Sequence, residues 1–178
     1  HDGFFITPSG IRNNKVTSSN IVFVDMEGKT KKTVNKPSSE WRFHLDIYKK
    51  KDVKAIVHCH SKYAVILATH KKSIPPFHYM ISIAGGANIK CAEYATYGTQ
   101  KLSNNILEAL QKRKACLIAN HGQVSIGESL AIAFELAEEV EYLSELYYHS
   151  LLIGEPKQLS KVEIVKALKK IGSYKNNQ

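Results

Sequence analysis

Hydrophobic positions along the 178-residue chain change their period several times, and each change predicts a different element. Phe4-Phe5-Ile6 and Ile21-Val22-Phe23-Val24-Asp25 are short β-rich runs. Each is closed by turn residues, Thr7-Pro8-Ser9-Gly10 and Met26-Glu27-Gly28-Lys29, so both read as strands, the second turning back as a hairpin into Lys31 to Val34. The period then lengthens. Pro37-Ser38-Ser39-Glu40 opens a helix in which Trp41, Leu45 and Tyr48 recur on one face. Val53, Ala55, Ile56 and Val57 form a further strand running into His58-Cys59-His60, and Lys62 to His70 reads as helix until Ser73-Ile74-Pro75-Pro76 breaks it. Phe77 to Ile83 is a short apolar stretch ending at the turn Ala84-Gly85-Gly86-Ala87. Ser103 to Gln111 predicts a helix, and Ala115 to Ala119 a buried strand that stops at Asn120-His121-Gly122. After Gly127-Glu128 a long helix runs to Ile153, with Leu130, Phe134, Ala137, Val140, Ser144 and Tyr147 as its expected buried stripe. Ser160 and Glu163 form a capping box for a last helix, Lys161 to Ile171, trailed by a polar tail.

Composition changes this picture little. With 43% hydrophobic and 23% charged residues, the chain is expected to fold as one domain over residues 1–178. No apolar run reaches the ~18 to 20 residues of a membrane span, and three scattered cysteines without a C-x-x-C pair fit a reducing, cytoplasmic setting better than a disulfide framework. The net charge of +9 raises nucleic acid as a partner. The lysines, however, fall at turns and helix ends without interleaved aromatic residues, so no nucleic-acid partner is expected. A basic surface instead favours small anionic substrates by long-range steering. Asp2-Gly3 is a turn signal leading straight into a strand, so a segment upstream of His1 is expected.

The candidate chemistry centres on His58 and His60. Alternate residues of a strand share a face, so the two imidazoles project together and can chelate one divalent cation such as zinc, given a third ligand. His121, where a strand ends at a glycine, is the candidate for it. Ser38 and Ser39 place hydroxyls at a helix start suited to phosphate, with a plain N-cap as the alternative. Glu40, in the first turn, is favoured by the helix dipole and is also a candidate base. Glu40 and His44, four apart on one helix face, could form a metal site of their own, with a helix-surface ion pair as the plainer account. An H-x-H-x-D-H hydrolase is unlike this chain because Ser61-Lys62 follows His60, and no glutamate follows the H-x-H before Glu93 as a cupin pattern asks.

Ile6-Thr7-Pro8-Ser9-Gly10, Pro37-Ser38-Ser39-Glu40-Trp41-Arg42-Phe43-His44, Val57-His58-Cys59-His60, Ile74-Pro75 with His78-Tyr79-Met80 and Ala84-Gly85-Gly86, Tyr94 to Thr99, and Asn120-His121-Gly122 occur in an order that resembles the class II aldolase/adducin family. The resemblance covers nearly the whole chain. It implies an α/β fold, a single domain with a central mostly antiparallel sheet flanked by helices, assembled as a homotetramer with active sites between subunits. It implies one Zn2+ per subunit on His58, His60 and His121, with Glu40 as catalytic acid/base and Tyr79 as a second catalytic residue. Ser9, Gly10, Ser38, Ser39 and Tyr174 match substrate and phosphate contacts. The implied reaction cleaves a ketose 1-phosphate such as L-fuculose 1-phosphate to dihydroxyacetone phosphate and a short aldehyde such as L-lactaldehyde. The family's N-terminal helix and a Gly- and Asn-containing phosphate loop are expected to lie before His1. Other members act on other sugar phosphates, as pentulose-phosphate 4-epimerases or methylthioribulose-phosphate lyases or dehydratases, or bind without catalysis. The epimerase branch carries an acidic residue after the Ile-Pro motif that Phe77 to Ile81 does not supply, and the adducin branch lacks the metal histidines.

Overall fold

A computed structural model describes residues 2–30 and 35–175 of the chain, with side chains as far as residue 172. In chain order the elements are strands β1 (Gly3–Ile6) and β2 (Val22–Asp25), helix α1 (Trp41–Lys50), strand β3 (Ala55–Cys59), helix α2 (Lys62–Thr69), strand β4 (Lys90–Ala92), helix α3 (Gln100–Ala109), strands β5 (Ala115–Ile118) and β6 (Gly122–Gly127), and helices α4 (Leu130–Ile153) and α5 (Lys161–Lys175). The chain forms two compact units, one of residues 1–52 with 95–107 and one of residues 53–94 with 108–178.

In the first unit β1 and β2 pair antiparallel, Gly3 opposite Asp25 and Ile6 opposite Val22. Strand alternation turns Phe4, Ile6, Val22 and Val24 inward, where they pack with Leu45 of α1. The turn after β2 is held by the Asp25 carboxylate, which accepts the backbone N–H groups of Glu27 at 2.9 Å and Lys29 at 2.8 Å. The expected return strand at Lys31 to Val34 lies outside the described residues. Helix α1 begins as expected after the Pro-Ser-Ser-Glu run. Helix α3 starts at Gln100 rather than Ser103, because the Thr99 hydroxyl accepts the Leu102 N–H at 3.3 Å and caps it. Asp46 of α1 fastens the two helices, its carboxylate accepting from Ser103 Oγ at 2.6 Å and Gln100 Nε2 at 2.7 Å.

The second unit is built on a four-stranded sheet in the order β3-β6-β5-β4. The β3–β6 and β6–β5 pairs are antiparallel and the β5–β4 pair is parallel, which makes the central sheet mostly antiparallel, as expected. Helices pack against it, and the core joins Ala64 and Leu67 of α2, Leu117 of β5, and Leu136, Val140, Leu143 and Tyr147 of α4. Two strands are absent from the hydrophobic pattern. Strand β4 is only Lys90–Ala92, and β6 holds Gly122, Gln123, Ser125 and Gly127 beside two aliphatic residues, yet every residue of it is buried. A strand paired on both sides satisfies its backbone within the sheet and can be buried without an apolar signature.

The buried stripe of α4 differs from the expected one. Ala137, Val140, Ser144 and Tyr147 are buried, but Leu130 and Phe134 are exposed, and Ala133 and Leu136 face the core. The cause lies at Gly127, where a Cβ would stand 2.8 Å from the Ala133 nitrogen. That close approach turns the Ala133 side of the first helical turns toward β6. The capping box of α5 forms as read, with the Ser160 N–H donating to the Glu163 carboxylate at 2.7 Å and the Glu163 N–H donating to Ser160 Oγ at 3.3 Å. Helix α5 runs beyond Ile171 to Lys175, because Gly172 raises the helical free energy by only about 1 kcal/mol without stopping it. Tyr174 therefore lies in the helix and not in a tail, and its side chain lies outside the described residues. No helix among the described residues is long and apolar enough to cross a membrane.

Candidate metal centre

Three histidines of the second unit meet at one end of its sheet. Strand parity projects His58 and His60 from the end of β3, and the hairpin joining β5 to β6 brings His121 to them. Ile118 pairs with Gly122, so residues 119–121 form the loop. Asn120 is left-handed there with φ 54°, a conformation asparagine adopts more readily than most residues. Its N–H donates to the Ala68 carbonyl of α2 at 3.0 Å, and the His121 N–H donates to the Ile118 carbonyl at 3.1 Å. Gly122 is required by contact. A Cβ at that position would stand 2.4 Å from the Cys59 carbonyl oxygen and 2.9 Å from Cδ2 of His60.

The three imidazole rings form a near-equilateral group. Centroids lie 5.0 Å apart for His58 and His60, 4.9 Å for His58 and His121, and 4.9 Å for His60 and His121. One nitrogen from each converges, all within 4.8 Å of one another. His58 Nδ1 lies 2.8 Å from the Gln123 carbonyl oxygen. A carbonyl only accepts, so Nδ1 carries the proton, which leaves Nε2 as the nitrogen able to offer a lone pair. That Nε2 faces Nε2 of His60 at 3.2 Å. Two ligands about 2.05 Å from one tetrahedral zinc ion are separated by about 3.3 Å, so the spacing and the nitrogen donor set fit such an ion. Cys59 between them points to the opposite face, and burial pushes its thiol above the ordinary value, so it stays protonated at neutral pH.

Behind the trio sits a residue that the sequence reading did not single out. Gln123 is fully buried, and its amide nitrogen donates to Ser61 Oγ at 2.8 Å and to the Ala137 carbonyl at 3.1 Å. The sequence carried no signal for it, because the strand that buries it shows no apolar period. Glu141 of α4 also supports the segment after His60. Its carboxylate accepts the N–H groups of Tyr63 at 2.8 Å and Ala64 at 2.9 Å, filling the start of α2.

The other expected site residues separate by unit. In the first unit, the Ser9 N–H donates to the Lys36 carbonyl and the Ser38 N–H to the Thr7 carbonyl, each at 2.9 Å, so the two serine-bearing segments run side by side. Ser9, Gly10 and Ser39 are exposed, and Ser38 Oγ accepts the Glu40 N–H at 3.3 Å. Gly10 is left-handed with φ 76°, and nothing stands within 4 Å of where its Cβ would be. Glu40 is buried and occupies the residue before α1 rather than its first turn, and its side chain does not cap that helix. Gly98 lies against the Ser39 carbonyl, and Arg42 Nε donates to the Gly98 carbonyl at 3.3 Å, tying the Tyr94 to Thr99 motif to the start of α1. In the second unit, Tyr79 opens a 3-10 turn and is half exposed, its ring centroid 4.7 Å from that of His78.

Residues 1–148 match the family model described as the Class II Aldolase and Adducin N-terminal domain. The 5-methylthioribulose-1-phosphate/5-deoxyribulose-1-phosphate aldolase of Rhodospirillum rubrum is 45% identical over 177 residues, 99% of this chain and 80% of that protein. The L-fuculose phosphate aldolase of Escherichia coli K12 is 45% identical over 175 residues, 97% of this chain and 81% of that protein. A solved L-fuculose 1-phosphate aldolase superposes with a TM-score of 0.92 at 40% identity, covering 96% of this chain and 81% of that one.

Proposed function

Because this chain belongs to the class II aldolase and adducin family, we propose that it is a zinc-dependent aldolase cleaving a ketose 1-phosphate reversibly to dihydroxyacetone phosphate and a short aldehyde. The family's aldolases are metal-dependent lyases, and the chain is an aldehyde-lyase of that class. The observation that carries the reading is the convergence of three histidine nitrogens within 4.8 Å at the β3 and β5–β6 ends. A divalent cation held there supplies Lewis-acid stabilisation of the negative charge that develops on the substrate oxygens as the carbon–carbon bond breaks.

The chain's own residues supply the rest. His58, His60 and His121 are the ligands, and the Gln123 carbonyl keeps His58 in the tautomer that ligation needs. Glu40 moves the proton at the substrate carbon that becomes the hydroxymethyl group of dihydroxyacetone phosphate, and Tyr79 serves the aldehyde oxygen. Ser9, Gly10, Ser38 and Ser39, beside the start of α1, hold the phosphate, with Tyr174 as a further substrate contact. L-fuculose 1-phosphate, releasing L-lactaldehyde, is the first substrate to test. A 5-deoxy- or 5-methylthioribulose 1-phosphate is the second reading, because the Rhodospirillum rubrum aldolase named for those sugars is equally similar at 45% identity. The proposal extends to a cytoplasmic homotetramer with active sites between subunits. Its support is the exposed Leu130, Phe134 and Tyr142 on one side of α4 and the cysteines Cys59, Cys91 and Cys116, none of which is in a disulfide.

The test follows dihydroxyacetone phosphate release from both kinds of substrate before chelation, after it, and after zinc is returned. Release lost on chelation and restored by zinc is the expected result. His58→Ala, His60→Ala and His121→Ala each lose the ion, whereas Glu40→Gln keeps it and loses about 10²-fold or more in turnover. Metal retained after any two histidines are removed overturns the ligand assignment.

A further inference from the structure

We infer that Gln123 is a positioning residue of the histidine centre, its side chain locking together the three segments on which the ligands depend. The inference rests on the reading that His58, His60 and His121 hold a divalent ion. Gln123 has no exposed surface, and all of its side-chain polar atoms are engaged within the second unit. Nε2 donates to Ser61 Oγ at 2.8 Å and to the Ala137 carbonyl of α4 at 3.1 Å, and Oε1 accepts from Ser125 Oγ at 3.5 Å. Its main-chain carbonyl, meanwhile, takes the Nδ1 proton of His58 at 2.8 Å.

The placement explains why an amide is worth burying here. Ser61 directly follows His60, Gln123 stands two residues after His121, and Cys59, between His58 and His60, is its partner in the β3–β6 ladder. One side chain therefore ties the chain leaving His60 to α4 while its own backbone orients His58. An apolar residue of the same volume would fill the space but leave the Ala137 carbonyl and the Ser61 hydroxyl without this donor. Ligands held within a few tenths of an ångström bind a metal more tightly than ligands free to rock, and outer partners of ligating histidines typically contribute 10- to 100-fold to affinity.

The experiment measures zinc affinity of the full chain by competition with a chromophoric chelator, and the ligand-field absorption of the cobalt-loaded protein. It compares the unmodified chain with Gln123→Leu, Ser61→Ala, the double variant and Ser144→Ala. Ser144, buried in α4 with its hydroxyl on the Val140 carbonyl at 2.6 Å, reports what a purely structural loss does to the same readouts. Gln123→Leu is expected to weaken zinc about 10-fold or more and to shift the cobalt spectrum. Ser61→Ala is expected to lose part of that, and the double variant less than the product of the two losses, because both changes cut one tether. Ser61 Oγ does not cap α2, so this variant stays informative even where Gln123→Leu folds poorly. Zinc affinity and cobalt spectra matching those of Ser144→Ala overturn the positioning role. An unmodified chain that binds neither ion overturns the histidine reading itself, and the inference with it.

Discussion

The two polar regions of the molecule are built in opposite ways. The histidine trio stands on backbone already committed elsewhere: β3 and β6 are laddered, Asn120 is pinned to α2, and Gly122 leaves no room for a Cβ against Cys59. The serine region of the first unit lies on segments joined by two backbone hydrogen bonds, with Ser9, Gly10 and Ser39 open to solvent. The difference matches what the proposed ligands, a cation at the trio and a phosphate at the serines, would ask. A small cation rewards ligands fixed to a few tenths of an ångström. A phosphate group, larger and readily hydrated, accepts hydroxyl and N–H donors from segments that adjust. Damage should therefore be severe and coupled to stability at the trio, and mild and confined to binding at the serines.

The sharpest test of that contrast is Gly122→Ala. The added methyl would stand 2.4 Å from the Cys59 carbonyl oxygen, and Cys59 is held in the β3–β6 ladder while Gly122 is held in the β5–β6 ladder, so neither partner can move alone. We expect a loss of about 3 kcal/mol in denaturant unfolding together with loss of zinc binding. Unfolding unchanged within about 0.5 kcal/mol would show that the ladder end yields, and the rigid half of the comparison would fail.

Glu141→Ala comes next. It withdraws the carboxylate from two N–H groups at the start of α2, with an expected cost of about 1 to 2 kcal/mol, partly screened by added salt. Zinc affinity should fall less than in Gln123→Leu, since the hydrogen bonds of Glu141 go to the helix after His60, whereas Gln123 also orients His58. A larger fall than for Gln123→Leu would move the main support of the centre from the strand to the helix.

Much of this centre was legible because strand parity is a strong rule: two histidines spaced i and i+2 in a β-rich run must share a face. His121 was legible as a strand-end residue before a glycine, and its nearness to the other two depends on a hairpin that the sequence concealed. Strand β6 escaped detection because Gly122, Gln123, Ser125 and Gly127 interrupt any apolar period, and its burial comes from being paired on both sides. Gln123 escaped with it. The face of α4 was misjudged at Leu130 and Phe134 for a related reason, since the deciding contact is the approach of Ala133 to Gly127, which lies between two elements and not in the helical period. Ser38-Ser39 was legible as a helix start and Ser9-Gly10 only as a turn ending a strand, because their side-by-side arrangement depends on backbone hydrogen bonds that carry no side-chain signature.

The smallest expected effects belong to those serines, and they sharpen the comparison most finely. Ser9→Ala and Ser38→Ala each remove one hydroxyl from a segment whose backbone hydrogen bonds remain. Ser9 is exposed, so its loss should leave unfolding within about 0.5 kcal/mol of the unmodified chain. Ser38 Oγ also accepts the Glu40 N–H at 3.3 Å, a long contact whose loss adds at most about 1 kcal/mol. If these hydroxyls hold the phosphate, each removal should raise KM for the sugar phosphate by about 2- to 10-fold, with a matching rise in the inorganic phosphate needed to inhibit. Zinc affinity should not move. A serine variant that loses zinc as readily as a change in the β5–β6 turn would mean that the open region also fixes the ligands, and the division between a rigid cation centre and an adaptable phosphate region would not stand.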